Sequence, residues 1–245
     1  MSTSQKINSI NKSYLQTLGP NQAGRDFVVG DIHGFDEKLC ELLEKARFSW
    51  GTDRIVFASD LVDRGPNSPA VLLMLRKPGV HAVRGNHDQW CIEAGLVGEP
   101  EGHKKHGGDW FYTLTASEKR YIAELLNRLP VAISFIGPDG KKYGVVHAEC
   151  TTHEWSWFEE VLTGQWGESS QEQHVIEAMW RRSRYAKKAT YSVCGIERVF
   201  VGHTVVDEVT ELGNTVYLDT GACFEGGYLS MAELLPQGGY HVHQI

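Results

Sequence analysis

The chain of 245 residues lacks several features of membrane, secreted or nucleic-acid-binding proteins. Apolar runs are short, as at residues 71–75, and the N-terminal residues contain no apolar signal-peptide core. Acidic residues outnumber basic ones, and the formal net charge of -7 argues against nucleic acid or an anionic membrane as a partner. We therefore expect a cytoplasmic protein that binds neither.

Cysteine is sparse, and a linker-like composition is missing. The five cysteines form no Cys-x-x-Cys pair, so we expect reduced, mostly packed thiols and no disulfide framework. No Pro-rich or Ser-rich stretch divides the chain. A single domain is therefore predicted over residues 25–245, preceded by a polar N-terminal extension of residues 1–24.

Three loops rich in aspartate, histidine and asparagine each follow a short, apolar, β-branched run. Such runs predict buried strands, and open α/β sheets place their chemistry at the loops that leave the strand ends. The three loop sequences are Gly30-Asp31-Ile32-His33-Gly34, Asp60-Leu61-Val62-Asp63-Arg64-Gly65 and Gly85-Asn86-His87-Asp88.

The side chains of these loops make up a mixed oxygen and nitrogen ligand set. Asp31 and His33 are two residues apart, so in extended backbone they point to the same side. With Asp60 and Asn86, they suit divalent ions such as Mn²⁺, Fe²⁺, Zn²⁺ or Mg²⁺. An isolated Asp-x-His pair is usually an ordinary turn, but three such loops in order favour a metal site.

Two later histidines also follow predicted strands. His147 comes after the run at residues 143–146 and His203 after residues 198–201, so both occupy strand-end positions and complete a six-ligand set for two metals. The remaining histidines, among them His103 and His106, are interpreted as packed or exposed. The aromatic residues between 155 and 166 favour either a substrate groove or a surface-covering flap, next to a loop at residues 164–170.

Helical patterns separate the strands. Helices are predicted over residues 35–47, 67–77, 87–96 and 116–129, the last after a capping box formed by Thr115 and Glu118. Strands that alternate with helices in this way predict an α/β fold.

The motifs together resemble the phosphoprotein phosphatase family of the calcineurin-like metallophosphoesterase superfamily, and in particular its lambda-type bacterial and bacteriophage serine/threonine phosphatases. The resemblance spans residues 26–234. It implies an α/β (α+β) fold of two packed, mixed β-sheets flanked by helices, with the active site at the carboxyl ends of the strands. Beyond the three loops and Arg84, the matching motifs are Gly107-Gly108-Asp109-Trp110-Phe111, His147-Ala148, Trp180-Arg181-Arg182-Ser183-Arg184, Gly202-His203-Thr204 and Asp219-Thr220-Gly221-Ala222.

The resemblance also implies a site with two divalent cations. Mn²⁺ is the favoured ion, with Fe, Zn, Ni or Mg as alternatives. One ion is held by Asp31, His33 and His203, the other by Asn86 and His147. Asp60 bridges the two.

The resemblance further implies which residues handle phosphate and protons. Arg64, Arg84 and Arg182 bind phosphate oxygens together with Asn86, and Arg181 or Arg184 remains an alternative to Arg182. His87 is the general acid, and Asp63 orients it.

The implied function is a metal-dependent phosphomonoester hydrolase that acts on phosphoserine and phosphothreonine in proteins or peptides, with phosphotyrosine as a possible further substrate. The resemblance implies a reaction by direct attack of a hydroxide that bridges the two ions. No cysteine lies in a Cys-x₅-Arg loop, which fits a reaction without a covalent phosphoenzyme. A monomer is expected.

Two departures from the family pattern bear on activity. Ser59 stands where the family usually has glycine before the bridging aspartate, which costs free energy if the position needs a positive φ. After His147-Ala148, the chain continues Glu149-Cys150-Thr151, which leaves substrate preference at the rim open.

Two other functions compete with this interpretation. Hydrolases of symmetrical dinucleoside tetraphosphates share the metal loops, but they typically lack the carboxylate at the position of Asp63. A non-catalytic module that binds phosphoproteins would be expected to have lost a metal ligand or the acid, and the sequence retains all of them.

Overall fold

The computed structural model describes residues 13–245, in which two β-sheets pack face to face. Both sheets mix parallel and antiparallel pairs, which confirms the expected architecture. In spatial order, the first sheet consists of β1 (Leu15–Leu18), β5 (Ala132–Ile136), β6 (Lys142–Val146), β7 (Arg198–Val201), β9 (Thr215–Tyr217) and β8 (Thr210–Leu212). The second consists of β11 (Tyr240–Gln244), β10 (Ser230–Leu234), β2 (Asp26–Val29), β3 (Arg54–Phe57) and β4 (Val80–Ala82).

Helices cover the outer faces of the two sheets. The predicted helices are present with shorter bounds, except that the helix predicted over residues 87–96 begins one residue earlier, at Asn86. The predicted capping box forms, because Thr115 N donates to Glu118 Oε2 at 2.8 Å and Glu118 N donates to Thr115 Oγ1 at 3.3 Å. The helices are α1 (Asp36–Lys45), α2 (Ser68–Met74), α3 (Asn86–Leu96), α4 (Asp109–Tyr112), α5 (Ala116–Leu126), α6 (Trp155–Leu162), α7 (Glu168–Trp180) and α8 (Ser183–Ala186).

Alternation along the strands builds a four-layer molecule. In β2, Val28 points between the sheets, whereas Phe27 and Val29 face the helices on the outer side. In β7, Phe200 points between the sheets and Val199 faces the helices that cover the first sheet. β2 and β7 therefore each contribute to two cores, which explains why these two strands are apolar on both faces.

Three sequence-based expectations need correction. Residues 15–18, inside the predicted extension, form the edge strand β1, and the Tyr14 carbonyl accepts hydrogen bonds from the start of β5. Residues 1–12 lie outside the described range. Trp155 is buried beneath the first sheet and so lines no groove, while Trp157 is 41% exposed. The predicted loop at residues 164–170 is shorter, because α7 begins at Glu168.

Across residues 13–245, none of the helices has both the length and the apolar character needed to cross a membrane.

Candidate active site

The loops that leave five strands bring the predicted metal ligands together. β2, β3 and β4 run parallel to one another, as do β6 and β7, so the carboxyl ends of each group lie at one edge of its sheet. Each ligand is buried. Asp31 and His33 follow β2, Asp60 follows β3, Asn86 begins α3 after β4, His147 follows β6 and His203 follows β7.

Asp60 lies at the centre of this cluster. Its Oδ2 atom is 3.6 Å from Nε2 of His33, and its Oδ1 atom is 3.4 Å from Nε2 of His147. One donor atom from each of Asp60, His147 and His203 lies within 4.8 Å of the other two. The two carboxylate oxygens thus face two different sets of ligands, which is the arrangement that a bridging carboxylate requires.

The structure groups His203 with His147, which differs from the partition that the resemblance implied. The two imidazole rings are 4.9 Å apart between centroids, because β7 lies beside β6 in the first sheet. His147 Nε2 is also 2.9 Å from Asn86 Oδ1. Asp31 Oδ2 accepts a hydrogen bond from the main-chain N–H of His203 at 2.9 Å. This geometry places His33 on one side of Asp60, and Asn86, His147 and His203 on the other.

Backbone carbonyls fix the orientation of the three ligand imidazoles. His33 Nδ1 lies 2.9 Å from the Val62 carbonyl, and His147 Nδ1 lies 2.9 Å from the Ala58 carbonyl. His203 uses its Nε2 atom in the same way, 3.1 Å from the Trp180 carbonyl. A ring nitrogen that donates to a carbonyl leaves the other nitrogen free as a metal ligand, which is the usual arrangement at metal sites.

The pKa shifts of the cluster are mixed. Burial and the charges of Asp219 and Asp60 raise the pKa of Asp31 well above its usual range. Burial lowers the pKa of His147, but the charge of Asp60 and hydrogen bonds to that carboxylate and to a backbone carbonyl raise it overall. Burial lowers the pKa of His33 to about 3 and that of His203 to about 3, so both rings are neutral near pH 7. Burial alone would raise the pKa of Asp60, but the neighbouring His147 and His87 hold it well below its usual value. Asp31 Oδ1 is buried and makes no hydrogen bond within residues 13–245. An unpartnered carboxylate oxygen beside neutral imidazoles is a donor set that a divalent cation would satisfy.

A histidine and an arginine lie against the ligand cluster. His87 Nδ1 is 2.8 Å from Asp63 Oδ2, so the carboxylate orients the ring and leaves Nε2 facing the site. Arg64 reaches between two rings, with Nη1 2.9 Å from His33 Nε2 and Nη2 3.0 Å from His87 Nε2. A guanidinium only donates, so both Nε2 atoms accept from Arg64 here. An anionic substrate that takes over the guanidinium would leave His87 Nε2 free to carry a proton to a leaving group.

Comparison with known proteins agrees with this geometry. The family model that describes calcineurin-like phosphoesterases matches residues 27–207, a range that contains all six ligands. The chain belongs to the calcineurin-like phosphoesterase family. Members of this phosphoesterase family use a dinuclear divalent metal centre, and the ligand cluster around Asp60 provides candidate groups for one.

Relatives in the calcineurin-like family carry two kinds of name. The chain is 32% identical over 211 residues to serine/threonine-protein phosphatase 1 of Salmonella typhimurium. The match covers 85% of this chain and 91% of that protein. A symmetrical bis(5'-nucleosyl)-tetraphosphatase of Coxiella burnetii is 36% identical over 106 residues, but the match covers 43% of this chain and 36% of that protein. A protein serine/threonine phosphatase from Saccharomyces cerevisiae shares the fold, with a TM-score of 0.64 at 15% identity over 99% of this chain and 86% of that one.

Arg84 does not occupy the phosphate-binding position that the resemblance to this phosphoesterase family implied. Its Nη2 atom donates to the carbonyls of Asn127 at 2.7 Å and Leu129 at 3.1 Å, and its Nη1 atom donates to Gln89 at 3.2 Å. The side chain is 2% exposed. Arg84 therefore ties the loop before α3 to the end of α5, and its guanidinium is engaged with these groups instead of a substrate.

Arg182 is better placed at the site than its two arginine neighbours. Its Nη2 atom donates to the His203 carbonyl at 3.1 Å, and its side chain is exposed. Arg181 instead pairs with Glu177 at 2.7 Å, and buried Arg184 donates to backbone carbonyls. The departure at Glu149 supports this segment, because its carboxylate accepts from Ser183 Oγ at 2.9 Å and from the Arg184 N–H at 2.8 Å.

The sequence analysis missed three residues that hold Asp63. Trp110 Nε1 donates to Asp63 Oδ1 at 2.7 Å, and His103 Nε2 lies 3.3 Å from the same oxygen. The Cys91 thiol is 3.9 Å from it. His103 is buried against Gly108, where a Cβ atom would come within 2.2 Å of the imidazole. The glycines before Trp110 are therefore the feature of the sequence that could have indicated these contacts, since a glycine at residue 108 permits the close approach of the His103 imidazole.

Ser59, which stands where the family usually has glycine, adopts a strained backbone conformation. Its φ of 95° lies in the left-handed region, which L-residues with a Cβ atom rarely adopt. Its hydroxyl donates to Asp88 Oδ2, an oxygen that also accepts from the Gly85 N–H at 2.9 Å. Burial, together with the charge of Asp60, raises the pKa of Asp88 to about 6, and the serine bond opposes that rise. The hydroxyl thus compensates for the backbone strain.

We expect Ser59→Ala to be less stable than Ser59→Gly. Both variants leave the buried Asp88 with one donor fewer, at a cost of about 1–3 kcal/mol, but glycine also relieves about 1–2 kcal/mol of left-handed strain. Urea denaturation of both variants at one fixed concentration of metal measures the difference in the free energy of unfolding. If the two variants have equal stability, the left-handed backbone of residue 59 carries no strain; the loss that both variants share relative to the wild type reports the hydrogen bond to Asp88.

Proposed function

We propose that the protein is a metal-dependent phosphomonoester hydrolase that removes phosphate from phosphoserine and phosphothreonine in proteins or peptides. The observation that carries the proposal is the position of Asp60 between two imidazole groups, with the His87–Asp63 pair beside it. The phosphatase name of the Salmonella typhimurium relative, which matches over most of both chains, supports the choice of substrate.

The ligand set suits two divalent cations, and we propose Mn²⁺ as the first choice because the donors are carboxylate, amide and imidazole groups without thiolate. Bound there, two cations would lower the pKa of a shared water and neutralise charge on the phosphoryl oxygens. Asp60 would contribute one oxygen to each cation. The neutral rings of His33 and His203 supply nitrogen ligands without having to lose a proton first.

The chain's own residues supply the remaining chemistry. The Arg64 guanidinium points at the site from its position between His33 and His87, so it can bind two oxygens of a phosphate as a fork. Arg182 contributes a second positive charge at the rim. His87 donates a proton from Nε2 to the departing serine or threonine oxygen, while the hydrogen bond to Asp63 keeps Nδ1 protonated.

The competing functions are less well supported. The likeness to the symmetrical tetraphosphatase covers less than half of either chain, whereas the protein phosphatase match covers most of both. Asp63 is in hydrogen-bond contact with His87, and it is the carboxylate that those tetraphosphatases typically lack. A non-catalytic binding module would have no need for an oriented proton donor at its metal ligands, so we favour an enzyme.

Removal and return of metal tests the proposed function. The protein stripped with a chelator is expected to lose hydrolysis of a phosphoserine peptide, because cations supply much of the charge stabilisation. Mn²⁺ is expected to restore hydrolysis better than Mg²⁺ or Zn²⁺. Phosphoserine and phosphothreonine peptides should be cleaved with higher kcat/KM than diadenosine tetraphosphate. A preference for the dinucleotide would replace the proposal with the tetraphosphatase function, and full metal binding without hydrolysis would favour the binding module.

A further inference from the structure

An aromatic wall, formed by Trp90, Trp180 and His106, borders the site and has no part in the chemistry described above. The rings of Trp90 and Trp180 are 5.1 Å apart between centroids and meet at 67°, an edge-to-face contact. His106 stacks on Trp90, with centroids 5.4 Å apart and an interplanar angle of 20°. Trp180 is 37% exposed and His106 is exposed as well, so the wall faces solvent.

The wall is fixed to both sides of the reaction centre. Trp90 follows His87 by three residues in α3, which places both on one helix face, and the two rings are 4.9 Å apart between centroids. Trp180 ends α7, where its carbonyl lies 3.1 Å from His203 Nε2 and its ring centroid is 6.2 Å from that of His203. The wall therefore extends from the proton donor to the ligand cluster.

We propose that the aromatic wall is a subsite for the leaving group, and that contact with it raises kcat/KM for a phosphotyrosine peptide more than for a phosphoserine peptide of otherwise equal sequence. This inference rests on the proposed protein phosphatase function. The leaving-group oxygen receives its proton from His87 Nε2, so it must lie within hydrogen-bond distance of that atom. The next atoms of the leaving group then lie beside Trp90, whose ring contacts the His87 ring.

The chemistry of the leaving group decides how much of the wall it can use. Phosphoserine places a single methylene group next to its ester oxygen, and this carbon contacts little of an indole ring. Phosphotyrosine places a phenyl ring there, which can pack edge to face or offset against Trp90 and Trp180. Such an aromatic contact favours the aryl substrate by about two- to tenfold in kcat/KM.

Leucine variants of the two tryptophans test the subsite with the full chain loaded with Mn²⁺. Trp90→Leu and Trp180→Leu keep an apolar side chain but remove the ring, and Trp157→Leu removes an exposed tryptophan in α6 as a matched control. The substrates are one peptide with phosphotyrosine or phosphoserine at the same position. We expect the ratio of the two kcat/KM values to shift about two- to tenfold towards phosphoserine in the first two variants and to stay at the wild-type value in Trp157→Leu.

Each other outcome overturns a distinct part of the inference. An equal loss on both peptides would give the tryptophans a structural role only, and an unchanged ratio would show that the leaving group does not contact them. If the variants lose diadenosine tetraphosphate hydrolysis and keep the peptide ratio, the wall binds a nucleobase instead. If the wild-type protein cleaves neither peptide, the proposed function fails, and the peptide subsite fails with it.

Discussion

Asp60→Asn is expected to abolish nearly all hydrolysis of a phosphoserine peptide. The side chain keeps its shape, but one of its two oxygens becomes an amide NH₂ group that cannot bind a cation. Because each oxygen faces a different set of imidazoles, the variant loses the ligand that both cations would share. We expect kcat/KM to fall by about 10³-fold or more, since several kcal/mol of charge stabilisation are lost. Steady-state kinetics together with metal analysis of the purified protein measures both effects.

Asp207→Asn is the matched control for that variant. Asp207 is exposed in the loop before β8, so the same chemical change there should leave the kinetics and the metal content at wild-type levels. A folded Asp60→Asn protein that binds as much metal as the wild type and retains its kcat/KM would contradict the bridging role of Asp60.

The six ligand candidates could be predicted because each follows an apolar strand, and the ends of parallel strands converge. Their division between two cations could not. It depends on β7 lying beside β6 in the first sheet, which brings His203 within 4.9 Å of His147 between ring centroids. Strand order in a mixed sheet is a non-local property, and no local spacing in the sequence encodes it.

Arg84 and His103 illustrate the same limit for single residues. Arg84 lies two residues before Asn86, yet its side chain points to the end of α5 and donates to the carbonyls of Asn127 and Leu129. His103 is distant in sequence and looked ordinary, yet it lies 3.3 Å from Asp63 Oδ1. Position in a motif predicts where the backbone goes, whereas the direction of a long side chain depends on which buried acceptors surround it.

Edge strand β1 was harder to predict than the site. β1 (Leu15–Leu18) is partly exposed along its length and pairs only with β5 within the described residues, so its sequence lacks the continuous apolar run that marks a central strand. The site loops, in contrast, combine aspartate, histidine and asparagine, and ordinary turns contain this combination less often. The chemistry of this chain is therefore easier to predict from its sequence than the edge of its fold.

His87→Asn should separate substrates by the quality of their leaving group. The variant cannot donate a proton, so we expect kcat on a phosphoserine peptide to fall by about 10²- to 10⁴-fold. p-Nitrophenyl phosphate has a leaving group that departs without a proton, and its kcat should fall far less. Metal content should equal that of the wild type, because the His87 ring is paired with Asp63 and Arg64, and the six ligands remain in place.

Asp63→Asn gives an independent check on the same step. Asparagine can still accept a hydrogen bond from His87 Nδ1 but carries no charge to stabilise the protonated ring, so we expect a smaller fall on phosphoserine with the same ordering of the two substrates. If His87→Asn lowers both substrates by the same factor, the residue positions phosphate instead of donating a proton. Wild-type turnover of the phosphoserine peptide by His87→Asn would show that His87 takes no part in the reaction. The proton would then have to come from another group near Arg64.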